Sequence, residues 1–211
     1  MTSPVRLEET AATRLRILDE RDTPDAAAAE TAAAAFLGAL GVDIAGPGLV
    51  DTPRRMAAAY SDLLTPRAFD LTTFPNDEGY DELVLARSIP VQSVCEHHML
   101  PFTGVAHVGY LPGERIVGLS KLARVVELFA RRPQVQERLT VQIAGWLATR
   151  LQPRGIGVVL EAEHLCMTLR GVRAPGGSTI TSALQGVLRE DPRSRAEFLA
   201  LTSGDSGRQR S

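Results

Sequence analysis

The chain has 211 residues, a formal net charge of −2, 44% hydrophobic residues and 23% charged ones, the balance of a globular protein large enough to bury a core. So small a net charge lacks the basic excess that a nucleic-acid binder needs, and any bound anion is expected to be small. No run reaches the roughly 18 apolar residues of a membrane span, and the N-terminus has no apolar signal core; neither nucleic acid nor membrane is an expected partner, and a cytoplasmic location is expected.

Residues 1–22 show no core pattern and form an expected poorly ordered segment, as does the small, polar tail 203–211. Between them, residues 23–66 read as a helical arm. Thr23 is a candidate cap with Pro24 at the first helical position, and the helix ends near Gly41. "DTPRRMAAAYSDLLT" repeats the pattern, with Asp51 or Thr52 as cap and Met56, Tyr60 and Leu63 or Leu64 on one face. From about Leu83 the composition turns to strands, "ELVLARSIPVQSV" and "GVAHVGYLPGERIVGLS", with "LPGE" expected as a hairpin turn. Helical spacing returns in Leu122, Val125, Val126 and Phe129 after a candidate cap at Ser120, and in Val135, Leu139, Ile143 and Leu147 after Pro133. "GIGVVLEAEHLCMTLRG" and "GSTITSALQG" read as strands, and "SRAEFLALT" as a short closing helix. Runs of helix and strand rather than strict alternation predict an α+β fold with helices on an antiparallel sheet, within a domain spanning 67–202.

Both cysteines and three of the four histidines fall in two short stretches, "CEHH" at 95–98 and "HLC" at 164–166. Cys95 and His98 have the spacing at which one turn aims two side chains at a single ion. Alternation along a strand would put His164, Cys166, Thr168 and Arg170 on one side, so that Cys166 completes a Cys-His-Cys set. Thiolate and imidazole donors favour Zn2+, and three protein ligands leave a position for a water whose pKa falls toward about 7, which predicts hydrolytic chemistry. The alternatives are a closed zinc with His97, Glu96 or His164 as fourth ligand, or two buried cysteines without metal. Five ligand-type residues in two clusters weigh against both. His97 and His164 remain as proton carriers; His107, with no cluster partner, reads as structural.

Lys121 is the only lysine among 23 basic residues, and it stands at a helix start, where free N–H groups and the dipole favour an anion. With Ser120, Arg124 and Arg170 it suits a phosphate chain. In "QVQERLTVQI", Gln136 and Glu137 stand beside an apolar stripe, and a carboxylate there could accept the paired N–H groups of guanine. On spacing alone Glu137 is equally a solvated helix residue.

Taken together, "SVCEHHMLPFTGVAHVGYLP", "VGLSKLARVVELFARRPQVQERLTVQIA" and "GIGVVLEAEHLCMTLRGV…TITSALQGVLRED" resemble GTP cyclohydrolase I over roughly residues 30–201, with "DTPRR" a weaker match upstream. Leu188 stands where that family's pattern suggests an aromatic, which points to a packing variation. The resemblance implies conversion of GTP and water to formate and 7,8-dihydroneopterin triphosphate, the first step of folate and pterin biosynthesis. It implies zinc on Cys95, His98 and Cys166, with attack of water at C8 of the purine. His97 would protonate the imidazole ring and His164 serve as a second donor near the ribose and phosphates. Gln136 and Glu137 match the guanine-gripping pair. Ser120, Lys121, Arg124 and Arg170 match the triphosphate set, joined by Arg55 or its neighbour Arg54. The implied architecture is the tunnelling fold, a four-stranded antiparallel sheet with two long helices on one face. The implied assembly is a homo-oligomer, a decamer of two pentameric rings with sites at subunit interfaces. Two rivals stand beside this reading: a zinc-stabilised binding module, and a pterin or deazapurine enzyme of the same fold.

Overall fold

The structure, a computed structural model, describes residues 13–17 and 24–203; Thr23 and the tail from 204 onward lie outside them. Its elements are mixed α+β. Strand β1 (Thr13–Ile17) precedes helices α1 (Ala26–Ala39) and α2 (Thr52–Leu64), followed by β2 (Phe69–Pro75), β3 (Val84–Cys95), β4 (Pro101–Leu111) and β5 (Arg115–Val117). Then come α3 (Leu119–Ala130), β6 (Pro133–Gln134), α4 (Gln136–Leu151), β7 (Gly155–His164), α5 (Leu165–Thr168), β8 (Thr179–Gly186), α6 (Val187–Glu190) and α7 (Pro192–Ser203).

The main sheet has the order β6-β3-β4-β7-β8. Its four long strands are antiparallel neighbours, and the two-residue β6 adds a parallel fifth beside Val94 and Cys95. Helix α3 packs over β3 and α4 over β7 and β8, and the two helices touch each other. Leu122, Val125 and Val126 of α3, and Leu139, Ile143 and Leu147 of α4, are fully buried in one core with Val91, Phe102, Val108, Val158 and Leu160 of the sheet. The helical spacing read from the sequence is therefore the face that meets the sheet. At about 1.5–3 kcal/mol for each such side chain, this layer supplies most of the hydrophobic stabilisation.

Three local expectations change. Strand β5 does not pair with β4 across "LPGE": it pairs with β2, in a second sheet of order β1-β2-β5 that takes in residues 13–17. Hydrogen bonds from Asn76 to the Gly113 and Glu114 carbonyls, and from the Arg115 guanidinium to Thr73, draw the chain across. The true hairpin is β3–β4, closed by residues 96–100. Second, Ser120 does not cap α3, whose N-cap is Gly118. Third, the strand carrying His164 stops there, and Cys166 lies in the helical turn α5. At α1 the cap is Asp25, accepting from the Ala28 N–H at 3.0 Å.

Candidate active site

The β3–β4 turn holds most of the ligand-type residues. The Cys95 N–H donates to the Leu100 carbonyl at 2.9 Å and the Met99 N–H to the Cys95 carbonyl at 2.8 Å, while Met99 takes a left-handed φ of 53°. So tight a turn brings His98 back over Cys95: His98 Nδ1 lies 3.8 Å from Cys95 Sγ. Helix α2 braces the turn from outside, with the Tyr60 hydroxyl donating to the Met99 carbonyl at 2.9 Å.

Cys166 comes to the same point from the end of β7, its Sγ 3.9 Å from that of Cys95. The helical turn, not strand alternation, aims it. The donor atoms of Cys95, His98 and Cys166 all lie within 4.8 Å of one another. Zinc bonds of about 2.3 Å at tetrahedral angles separate donors by about 3.8 Å, so this set fits a zinc ion in both chemistry and spacing. Among the described residues no fourth Cys, His, Asp or Glu joins the group, as an open site requires. Burial and the neighbouring Cys95 thiol push the Cys166 thiol upward, and Arg170 opposes them; a bound cation would reverse that balance.

His164 ends β7 directly opposite Phe102 in the β4–β7 register, and the two rings stack at 4.5 Å with 11° between planes. Burial lowers its pKa, with the charge of Glu137 acting the other way. His97 is exposed, with Nδ1 3.9 Å from Cys95 Sγ and Nε2 3.9 Å from the Glu96 carboxylate. Glu96 is itself held by the Arg138 guanidinium, which also donates to Gln134 Oε1 at 3.0 Å and to the Pro133 carbonyl at 3.1 Å.

Gln136 departs from expectation. Only 2% exposed, it donates its amide to the carbonyls of Leu160 (3.1 Å) and Thr179 (2.8 Å), and its Oε1 lies 2.7 Å from His164 Nε2. Its side chain is occupied inside the protein and is not available to grip a base, whereas the adjacent Glu137 is exposed.

The phosphate-type residues form a second group. Ser120 and Arg124 line a cavity of about 390 Å³ with Arg67, Ile89, Pro90, Gln92, Glu127 and Arg131. Glu127 binds three guanidiniums there, Arg67 at 2.7 Å, Arg124 at 3.1 Å and Arg131 at 3.4 Å. The β3 residues of this lining, Ile89, Pro90 and Gln92, stand three to six positions before Cys95, roughly 10–20 Å along an extended strand. Within one chain, therefore, Ser120 and Arg124 do not join the metal-type cluster, and Lys121 shares their helix turn. Arg170 is near enough for its charge to act on Cys166. Arg54 and Arg55 stand apart on α2, both paired with Asp51. His107 is buried, and its Nδ1 accepts from the Ser88 N–H at 3.3 Å beside a bulge in β3, the structural part read for it. Phe102 and Arg138 were not singled out in the sequence, Tyr60 was read only as part of a helix face, and Glu96 only as an alternative fourth ligand.

Three metal-type donors beside two histidines on an α+β scaffold are the parts of a hydrolytic enzyme. The sequence profile of the family described as GTP cyclohydrolase I matches residues 29–203. Proteins named GTP cyclohydrolase 1 from Mycobacteroides abscessus, Mycobacterium leprae and Aquifex aeolicus are 55%, 50% and 51% identical to the chain. The alignments cover 84%, 92% and 80% of this chain, and 89%, 95% and 92% of those proteins. The chain belongs to the GTP cyclohydrolase I family, an enzyme family of hydrolases.

Proposed function

We propose that the protein is a zinc-dependent GTP cyclohydrolase I that converts GTP and water to formate and 7,8-dihydroneopterin triphosphate, the entry step to folate and pterins. The observation that carries this is the convergence of Cys95, His98 and Cys166 at zinc-ligand spacing beside His164 and Glu137. A zinc ion held by these three would supply Lewis acidity toward water at neutral pH.

The chain's own residues do the rest. C8 of guanine is a poor electrophile until N7 is protonated, and His97, exposed on the turn that carries two of the ligands, delivers that proton. The Glu137 carboxylate accepts the N1–H and amino protons of guanine, fixing the purine edge. Arg170, close enough to act on Cys166, meets the phosphate chain, and His164 handles protons on the ribose side. Ser120, Lys121 and Arg124 bind the remaining phosphates, with Arg55 or Arg54 added from α2.

Ser120 and Arg124 line a cavity that meets β3 three to six residues before Cys95, and this separation of the phosphate-type and metal-type groups supports a shared site in a homo-oligomer. The sheet supports it as well. Among the described residues β8 has no partner strand on its outer edge, and β3 is covered by β6 only at Val94 and Cys95. Open edges on opposite sides of one sheet suit head-to-tail addition of copies, which closes into a ring. The tunnelling fold and a decamer of two pentameric rings fit these features, and a cytoplasmic location is part of the same reading; among the described residues no helix is long and apolar enough to cross a membrane.

The direct test is incubation of zinc-loaded protein with GTP, following formate release and dihydropterin absorbance. Both products should appear together. Neither appearing, with one zinc bound per chain, overturns the proposal.

A further inference from the structure

We infer that Gln136 is a positioning residue that holds a proton of His164 on Nε2, so that whenever the ring is neutral Nδ1 is the nitrogen with the free lone pair. The catalytic consequence rests on the function proposed above; the tautomer does not.

Hydrogen-bond direction fixes the orientation of the Gln136 amide. Carbonyl oxygens only accept, so the groups beside the Leu160 and Thr179 carbonyls, 3.1 and 2.8 Å away, must be the NH2 of Gln136. The hydroxyls agree. Thr140 donates to the Gln136 backbone carbonyl at 2.9 Å. In the 2.6 Å contact between Thr140 and Thr181 the donor is then Thr181, which leaves its oxygen to accept from Gln136 Nε2 at 3.2 Å. The two N–H protons of the amide thus meet three acceptors, one proton being shared, and none of the three is free to donate to it. Turning the amide over would set Oε1 against two carbonyls and leave the NH2 facing an imidazole.

Oε1 therefore faces His164 Nε2 at 2.7 Å, and a carbonyl-type oxygen at that distance requires N–H on the ring. A neutral imidazole with its proton on Nε2 carries a lone pair on Nδ1. Stacking on Phe102 holds the ring plane, so the lone pair keeps one direction. The sequence resemblance suggested a proton donor at this position. A residue that first accepts a proton at Nδ1, and only then can return it, suits the ribose rearrangement, in which protons leave one atom and reach another.

Two measurements test this. In full-length, zinc-loaded protein labelled with 15N-histidine, solid-state NMR at neutral pH should show His164 with Nε2 protonated and Nδ1 bare, assigned by the resonance missing from His164→Asn. The opposite tautomer overturns the inference in the wild-type protein, without any need for a variant at Gln136 to fold. Gln136→Met, close in shape but with no carbonyl oxygen, should keep one zinc per chain and KM for GTP within about twofold, while kcat falls on the order of 10- to 100-fold as the tautomer mixes. An unchanged kcat would also overturn it. If the wild-type protein shows the expected tautomer but never turns over GTP, the function proposed above fails and the assignment at His164 stands.

Discussion

At the scale of single residues, chemistry and packing impose separate demands on neighbouring positions of the same strands. Near the turn, β3 ends in Cys95 and β7 in His164, one step from the helical turn that supplies Cys166. Replacing His98 by alanine should abolish stoichiometric zinc, read by metal analysis, whereas His97→Ala should retain the metal and stall turnover; loss of zinc from His97→Ala would mean that a ligand has been misassigned. At the other end of the same strands Gly109 faces Gly157 in register, and a side chain on either would run into the Phe198 ring, at 2.9 and 2.7 Å. The two glycines make a bare patch of backbone on which that ring lies, joined by Leu111, Val159 and Leu188. Leu188, which stands where the family pattern suggested an aromatic, is fully buried in the same cluster as Phe198. Gly157→Ala should therefore destabilise by about 1–3 kcal/mol through overpacking, measured as a lower denaturant midpoint with an unchanged slope. A neutral result would show that Phe198 has room to move.

Between elements, the links that matter are polar and run from the metal turn outward. Arg138, in the first turn of α4, joins that helix to Glu96 in the turn and to β6 through Gln134 and Pro133. A planar guanidinium reaches all three partners at once and an ammonium does not. Arg138→Lys and Arg138→Ala should thus both keep zinc and fold, yet lose roughly tenfold in kcat/KM as Glu137 and the turn drift apart, a 1 Å displacement being enough. Full activity in the lysine variant would remove Arg138 from the site. Glu127 ties Arg67, in the segment before β2, to α3, and the Arg67 guanidinium beside it holds its carboxyl below the usual 4.5. Because the folded value is depressed, this contribution is complete above about pH 4.5 and disappears as pH falls through the folded value. The gap in thermal midpoint between wild type and Glu127→Gln should accordingly be widest near neutrality and close in acid; a gap that persists at pH 2 would assign the effect to packing. These links also mark where sequence reading stops. Helices α3 and α4 were legible because Leu122, Val125, Leu139 and Ile143 repeat at the helical period, and the ligands because Cys and His are scarce and clustered. Which strands pair was not legible: "LPGE" has turn composition, but Asn76 and Thr73, far upstream, decide that β5 leaves for another sheet. Nor does composition show that Gln136 is buried against two carbonyls, since glutamine at a helix start most often meets solvent.

For the whole molecule, the separation of the two polar groups becomes a statement about assembly. Cys95 and Arg124 belong to one sequence family's pattern, yet in a single chain the cavity that Arg124 lines meets β3 three to six residues before Cys95. If a neighbouring copy supplies the phosphate-binding turn, a metal-deficient variant and a phosphate-deficient one are defective in different halves of the same site. Cys95→Ala and Arg124→Ala should each be inactive alone. Co-assembled in equal amounts at random, half of the metal groups come from the chain with intact ligands, and half of those meet a neighbour with an intact Arg124. About one quarter of wild-type activity should return, from chains that individually have none. The measurement needs only co-refolding or co-expression of the two variants with an assay for dihydropterin formation. A mixture that stays inactive, although size and mass analysis show mixed oligomers, would place both groups in one chain's site and require a large rearrangement of α3. A monomeric wild-type protein with full turnover would remove the neighbour altogether.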